Sequence, residues 1–281
     1  MPVRLGVHAE RLAGVRALRS PKGRRAQGRF AFEGVTLLEE ALASRFPVEE
    51  IYCTASAYDA TPRIRELESS GVAVCIVDER SAAHISDVRT PSGVVAVAAM
   101  RLLPVAEVLG GATLVLVLAD VNDPANAGTL LRSADAFGCN GVVFGSLGVD
   151  PYNPKVVRGS MGAIFRLCIA SADPPALSAA ADYAGLRLVG LAADGACLEG
   201  EQLKRPVGIV VGNERHGLGR WASLCERALA IPMQGRSESL SAAVAGSIVL
   251  YEATHTCSHQ GSALRACQES GPEPKSQDYR C

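Results

Sequence analysis

Aromatic residues are scarce: one Trp, six Tyr and six Phe make up 5% of the 281 residues. A core must therefore be assembled from Ala, Val, Leu and Ile, within a hydrophobic fraction of 48% that is ample for a packed interior. Long apolar runs are also missing. None approaches the roughly 18–20 residues a membrane helix needs, and the best candidates, 114–119 and 207–211, have the length of buried strands. The basic N-terminal stretch is not followed by an apolar signal-peptide core, so a cytoplasmic protein is expected. The nine cysteines include no CxxC pair. Cys53, Cys75, Cys139 and Cys168 sit among apolar neighbours, which reads as reduced, buried thiols. His255-Thr-Cys257-Ser-His259 lacks a second ligand pair, and no metal is expected there. There is no GxGxxG after a strand, no GxxxxGK[ST], no GxSxG and no HExxH. These absences remove the signatures of dinucleotide-binding folds, P-loop enzymes, α/β-hydrolases and zinc proteases. No repeat recurs at a fixed period.

The net charge of −1 conceals an asymmetry. Residues 1–29 carry Arg4, Arg11, Arg16, Arg19, Lys22, Arg24, Arg25 and Arg29 against Glu10 alone, a local net charge of +7. That is the footprint of a polyanion-binding arm. Hydrophobic periodicity predicts a helix over 5–18, a loop over 20–28, a strand at 30–32 and a helix over 34–44. Further on it predicts strands at 48–54, 72–77 and 93–100, with helices at 61–70 and 81–85. Strand and helix alternate, so residues 1–98 are expected to form a small α/β domain, followed by a linker over 99–111 that carries one short helix. A second α/β domain is expected over 112–256. Its strands fall at 113–119, 141–144, 186–191, 207–211 and 228–231, and its helices at 126–137, 175–184 and 240–255. The remainder, 257–281, turns polar and reads as a disordered tail.

Three blocks in the second half carry the chemistry. In Asp120-Val-Asn-Asp-Pro-Ala-Asn126-Ala-Gly128-Thr-Leu-Leu-Arg132 a buried strand ends in a turn, and a helix starts with Asn126 as a candidate N-cap. Open α/β sheets bind ligands at such strand ends, and Arg132 is placed to meet a phosphate from the helix. In Gly212-Asn213-Glu214-Arg-His-Gly217-Leu218 a strand runs into a glycine that allows close backbone approach, followed by an acid at the sheet edge. In Ile231-Pro-Met233-Gln-Gly235-Arg-Ser-Glu-Ser239-Leu240-Ser241 a short strand leads through a Gly/Ser loop to a helix of very small residues, suited to tight packing.

Together, in this order, the blocks resemble the three signature motifs of the SpoU/TrmH-type family of SPOUT RNA ribose 2′-O-methyltransferases. The segment Tyr152-Asn-Pro-Lys-Val-Val-Arg-Gly-Ser-Met-Gly-Ala163 resembles the piece between the first two motifs, and the resemblance spans residues 113–255. Arg29-Phe-Ala-Phe-Glu-Gly34 resembles, more loosely, the start of the family's substrate-binding domain.

The resemblance implies a deep trefoil-knotted C-terminal domain that binds S-adenosylmethionine, a smaller N-terminal α/β RNA substrate-binding domain, and a homodimer. It implies a catalytic set of Asn126, Arg132, Glu214, Ser239 and Ser241. The cofactor set is Gly212, Asn213, Gly217, Ile231, Met233, Gly235 and Leu240. Arg19, Lys22, Arg24, Arg25 and Arg29 would contact RNA. The expected activity is methyl transfer to a ribose 2′-hydroxyl of 23S-type ribosomal RNA. The alternatives are a tRNA 2′-O-methyltransferase and a catalytically weak RNA-binding relative. One position departs from the family pattern: Ser241 stands where Asn is usual.

Overall fold

The computed structural model describes residues 3–5, 10–198, 203–236 and 239–255. The expected polar tail, with Cys257 and His259, lies outside them.

The first unit comprises β1 (Val3–Leu5), α1 (Glu10–Ala17), α2 (Pro21–Gln27), β2 (Arg29–Glu33), α3 (Val35–Ala43), β3 (Glu50–Thr54), α4 (Ala55–Ala60), α5 (Pro62–Ser69), β4 (Ala73–Val77), α6 (Glu79–Ile85) and β5 (Val94–Ala99). Its five strands form a mixed sheet in the order β1-β4-β3-β5-β2, with β5 antiparallel to both neighbours. Two expectations change here. Of the helix expected over 5–18, Glu10–Ala17 is the helix α1, while Leu5 belongs to β1, which pairs with β4. The loop expected over 20–28 is the helix α2, capped at its start by the Ser20 hydroxyl, which accepts from Gly23 N at 3.0 Å, and closed by Gly28 at φ 63°.

The second unit comprises α7 (Val105–Leu109), β6 (Leu114–Ala119), α8 (Pro124–Ala136), β7 (Gly141–Gly145), α9 (Pro154–Gly159), β8 (Cys168–Ala172), α10 (Pro174–Ala184), β9 (Arg187–Cys197), β10 (Val207–Gly212), β11 (Arg227–Ala230) and α11 (Ala242–His255), with 3-10 turns at Ala163–Phe165 and Gly219–Leu224. Six parallel strands are ordered β11-β9-β10-β6-β7-β8. Strand β8 is absent from the sequence reading, and Cys168 on it is exposed rather than buried. The short helix expected within the linker is α7, and its Val108 and Leu109 are buried under the sheet.

β6 shows why this sheet is parallel and central. Its run Leu-Val-Leu-Val-Leu-Ala is buried at every position. Leu114, Leu116 and Leu118 enter one core, while Val115, Val117 and Ala119 enter the core on the opposite face. A strand with two apolar faces is stable only when helices cover both sides of the sheet. No helix among the described residues is long and apolar enough to cross a membrane.

The few aromatics are concentrated where the two units meet. Phe30, Phe32 and Phe46 of the first pack against Tyr152 and Phe165 of the second, with ring centroids 4.5–6.5 Å apart. The Tyr152 hydroxyl accepts from Arg101 N and donates to Arg101 O, both at 2.8 Å. Arg24 joins this seam. Its side chain is fully buried, donates to the carbonyls of Leu18 and Arg19, and pairs with Asp150 at 2.6 Å. The expectation that Arg24 contacts RNA is therefore corrected: a guanidinium with no exposed surface and its donors committed inside the protein cannot reach a phosphate. Arg29 is likewise held by Glu49 and Glu50, at 2.8 and 2.6 Å. Arg19, Lys22 and Arg25 are exposed.

Removing one partner of a buried pair strands the other charge, at a cost of about 3–5 kcal/mol. Asp150→Ala is expected to destabilise the protein by about that amount in urea unfolding, and Arg24→Met combined with Asp150→Leu to recover most of it. A loss below about 1 kcal/mol in the single variant would show that this pair does not hold the seam.

Candidate active site

The carboxyl ends of β6 and β10 lie side by side, with Ala119 paired to Gly212 in register. Just beyond them the first two blocks meet. The turn Asn213–Gly217 closes on itself through Asn213 N to Gly217 O (2.8 Å) and Gly217 N to Asn213 O (2.9 Å). The Asn213 side chain braces it from within, its Oδ1 accepting from the backbone N–H groups of Arg215 and His216. Gly212 is required for this geometry, since a Cβ there would lie 2.3 Å from the carbonyl carbon of Gly217.

The turn aims Glu214 at the start of α8. Its carboxylate accepts from the backbone N–H groups of Asn122 and Asp123, both at 3.2 Å, and from Asn126 Nδ2 at 3.0 Å. Orphan donors and the positive end of the helix dipole make this a favourable place for an anion. Burial raises the Glu214 pKa, but the hydrogen bonds from Asn126 and the backbone outweigh it, and the net result lies below the usual value. Asn126 is not the N-cap expected for this helix. That role falls to Asp123, whose Oδ1 accepts from Ala125 N at 2.8 Å. Asn126 sits in the first turn and spends its amide on Glu214.

A cleft of about 240 Å³ opens beside the turn. Of the expected residues, Gly212, Asn213, Glu214, Gly217, Ile231, Met233, Ser239 and Leu240 line it, while Asn126, Arg132, Gly235 and Ser241 do not. Leu191, Ala192, Ala193 and Leu229 complete its wall, and no motif in the sequence marks them. Apolar walls with a few convergent polar groups are the usual composition of a small-molecule cleft. A larger hollow of about 440 Å³ lies at the opposite, amino end of β9, beside the Arg187–Glu226 ion pair. It holds none of the block residues.

The third block closes the cleft through close packing of α11. Gly246 approaches α8 and β10 so tightly that a Cβ would meet Leu130 Cδ2 at 2.5 Å and Val211 Cγ2 at 3.0 Å. Ser241 precedes this helix, and its hydroxyl accepts from Val244 N at 3.3 Å. That is an N-cap contact, a role in which Ser and Asn are nearly equivalent. Arg132 is exposed on α8, one turn beyond Gly128, with no ion-pair or hydrogen-bond partner among the described residues. No hydrogen bond or ion pair joins it to Glu214, whose partners are Asn122, Asp123 and Asn126.

A further network behind the turn has no signature in the sequence. Asp120, at φ 55°, accepts the Asn213 amide on its carbonyl at 2.8 Å. Its carboxylate accepts from Arg220, from the indole of Trp221 and from Leu147 N. The nest is tight: a Cβ on Gly145 would lie 2.4 Å from Asp120 Oδ1.

With this geometry in view, the chain belongs to the SpoU rRNA methylase family. The family profile matches residues 113–251, and that of an MRM3-like substrate binding domain matches residues 10–96. A curated relative, the 23S rRNA (guanosine(2553)-2′-O)-methyltransferase RlmP of Bacillus subtilis, is 32% identical over 83% of this chain and 92% of its own length. Among solved structures, the AdoMet-bound rRNA methyltransferase of Sinorhizobium meliloti superposes with a TM-score of 0.80 at 26% identity, covering 92% of this chain and 99% of that one. The SpoU methyltransferase AviRb of Streptomyces viridochromogenes, in complex with AdoMet, superposes with a TM-score of 0.76 at 27% identity, covering 89% and 98%.

Two outcomes test the site's construction. The folded pKa of Glu214 lies below the ordinary 4.5. Its stabilisation is therefore complete above that value and is lost as pH falls through the folded pKa. Glu214→Gln is expected to lower stability by about 1 kcal/mol at neutral pH, with the gap to wild type closing on acidification in thermal melts. A gap that persisted at acid pH would exclude the carboxylate clamp. Separately, Ser241→Asn should leave the melting temperature unchanged, whereas Ser241→Ala costs about 1 kcal/mol through loss of the cap. Equal loss in both would refute the capping role.

Proposed function

We propose that this protein transfers a methyl group from S-adenosylmethionine to a ribose 2′-hydroxyl of 23S-type ribosomal RNA. The observation that carries the reading is the Glu214 clamp, which joins the first block to the second beside a cleft lined by the third. The names and bound cofactor of the relatives point the same way.

The cleft suits the cofactor. Its glycine-backed turn leaves main chain exposed, and its walls are apolar. Gly212, Asn213, Gly217, Ile231, Met233 and Leu240, which line the cleft, would hold the cofactor, and when bound it supplies a methyl group already activated on a sulfonium. The protein must then position the ribose and accommodate the charge that develops as the hydroxyl loses its proton. Arg132 offers five N–H donors and no acceptor, so it is not assigned as the base. It serves instead to hold the neighbouring phosphate and to offset the developing negative charge. Glu214 is no base either, since three donors occupy its carboxylate. With Asn126 it fixes the start of the helix that presents Arg132. Ser239 faces the cleft and completes the polar lining.

The first unit acts in this reading as the RNA substrate-binding domain, with exposed Arg19, Lys22 and Arg25 as its phosphate contacts. We extend the reading to a trefoil-knotted C-terminal domain, to a cytoplasmic setting and to a homodimer. The dimer is supported by the exposed apolar residues Val244, Ile248 and Tyr251 on α11, which continue into Leu240 and Met233 at the cleft.

Arg132→Ala is expected to reduce methyl transfer to ribosomal RNA by about 10²–10³-fold or more, with S-adenosylmethionine affinity unchanged by calorimetry. Near-normal turnover of this variant would overturn the assignment.

A further inference from the structure

Nine arginines lie between Leu114 and His255. Five are held by carboxylates: Arg158 by Asp87, Arg166 by Glu40 and Asp135, Arg187 and Arg227 by Glu226, and Arg220 by Asp120. Arg205 is half-buried and donates to the Ala253 carbonyl. The remaining three, Arg132, Arg215 and Arg236, are exposed and have no partner among the described residues. They fall one on each of the three blocks, of which the second and third line the cleft and the first is tied to the second through Glu214.

An arginine already paired with a carboxylate must give up that pair to take a phosphate, so it gains little. An exposed, unpaired guanidinium has all five donors free for a bidentate phosphate contact. Arg215 is also held firmly at its base. It follows Glu214 in a turn closed by two backbone bonds, and its own N–H is taken by Asn213 Oδ1 at 2.9 Å. A rigid base lowers the ordering cost of each contact the side chain makes. Arg236 lies three residues from both Met233 and Ser239, which line the cleft on either side of its loop.

We propose that Arg215 and Arg236, together with Arg132, form a phosphate-binding rim that grips the RNA backbone on either side of the ribose presented to the cleft. This rests on the methyl-transfer reading above. Arg215 and Arg236 position substrate and take no part in proton or methyl transfer; Arg132 alone in the rim also faces the developing charge.

The test is the salt dependence of binding to a 23S rRNA transcript, measured over about 50–200 mM salt for the wild type, Arg215→Gln, Arg236→Gln and the double variant. Each removed contact should reduce the slope of log affinity against log salt by about 0.7–0.9, and the double variant by about twice that. Arg215→Lys keeps the charge and should keep the wild-type slope. Arg187→Gln, which removes a guanidinium already paired with Glu226, should leave it unchanged. In turnover assays the rim variants should raise KM for RNA while kcat at saturating RNA and S-adenosylmethionine affinity stay at wild-type values. Slopes indistinguishable from wild type in the double variant would overturn the rim. Binding slopes are read without turnover, so a wild-type protein that binds RNA but transfers no methyl group would defeat the functional reading and leave the rim to be judged by its slopes alone.

Discussion

One carboxylate organises the second half of this protein. Glu214 leaves the end of β10 and ends among donors at the start of α8, about 90 positions earlier in the chain. Everything near the cleft is set by that crossing. It fixes the first turn of α8 and therefore the line along which Arg132 is displayed. It holds the Asn213–Gly217 turn against the sheet, and the Gly212 backbone becomes one wall of the cleft. α11 then packs onto α8 and β10 through Gly246. The interaction is strong for a half-exposed group because the donors it satisfies would otherwise be orphans at a helix terminus.

The clamp needs a rigid frame, and the composition shows how one is built with few large side chains. The parallel sheet takes its rigidity from β-branched and Leu residues that fill both faces of β6. Four of the six Phe side chains stand elsewhere: Phe30, Phe32, Phe46 and Phe165 gather with Tyr152 at the seam between the two units. Large, stiff side chains bury the most area per residue ordered, so they are most effective where two separately folded surfaces must be fixed against each other. The Arg24–Asp150 pair adds direction to that apolar contact, since a buried ion pair tolerates only one alignment of its partners.

What could be read in the sequence divides along physical lines. The three blocks were legible because backbone constraints force particular residues: a glycine where two strands of backbone nearly touch, a polar cap where a helix starts, small residues where a helix lies flat on its neighbour. Strands β6, β7 and β10 were legible for a similar reason, since burial on both faces leaves a continuous apolar run, whereas β8, exposed at Cys168 and Ser171, left none. Arg24 was misread because charge alone does not report burial, and its partner Asp150 lies 126 residues away. Helix α2 was missed although Ser20-Pro21 and Gly28 bracket it, because five of its seven residues are Gly, charged or Pro and supply no apolar period. The role of Asn126 was displaced by three residues, since Asp123 competes for the same cap and wins by preceding Pro124. Asp120 was invisible for a different reason. Its function depends on a left-handed backbone and on two glycines and a tryptophan from distant segments, none of which leaves a local pattern.

Asp120 and Glu214 also settle the sign of the field at the crevice. Both acids stand at the carboxyl end of the central strands, yet each is surrounded by donors from the protein. Burial pushes both carboxyls up in pKa, and in both cases the surrounding donors more than reverse it. The charge of Asp120 is offset by Arg220, whereas Glu214, among neutral donors, keeps its full negative charge. The unpaired cations nearby, Arg132 foremost, meet no compensating acid among the described residues. A protein with a net charge of −1 can still present a locally cationic mouth, because Asp120 is paired with Arg220 while Arg132, Arg215 and Arg236 have no acidic partner among the described residues. The balance is set by which charges the fold pairs and which it leaves free, and it is the condition under which a polyanion can approach a site that keeps the Glu214 carboxylate.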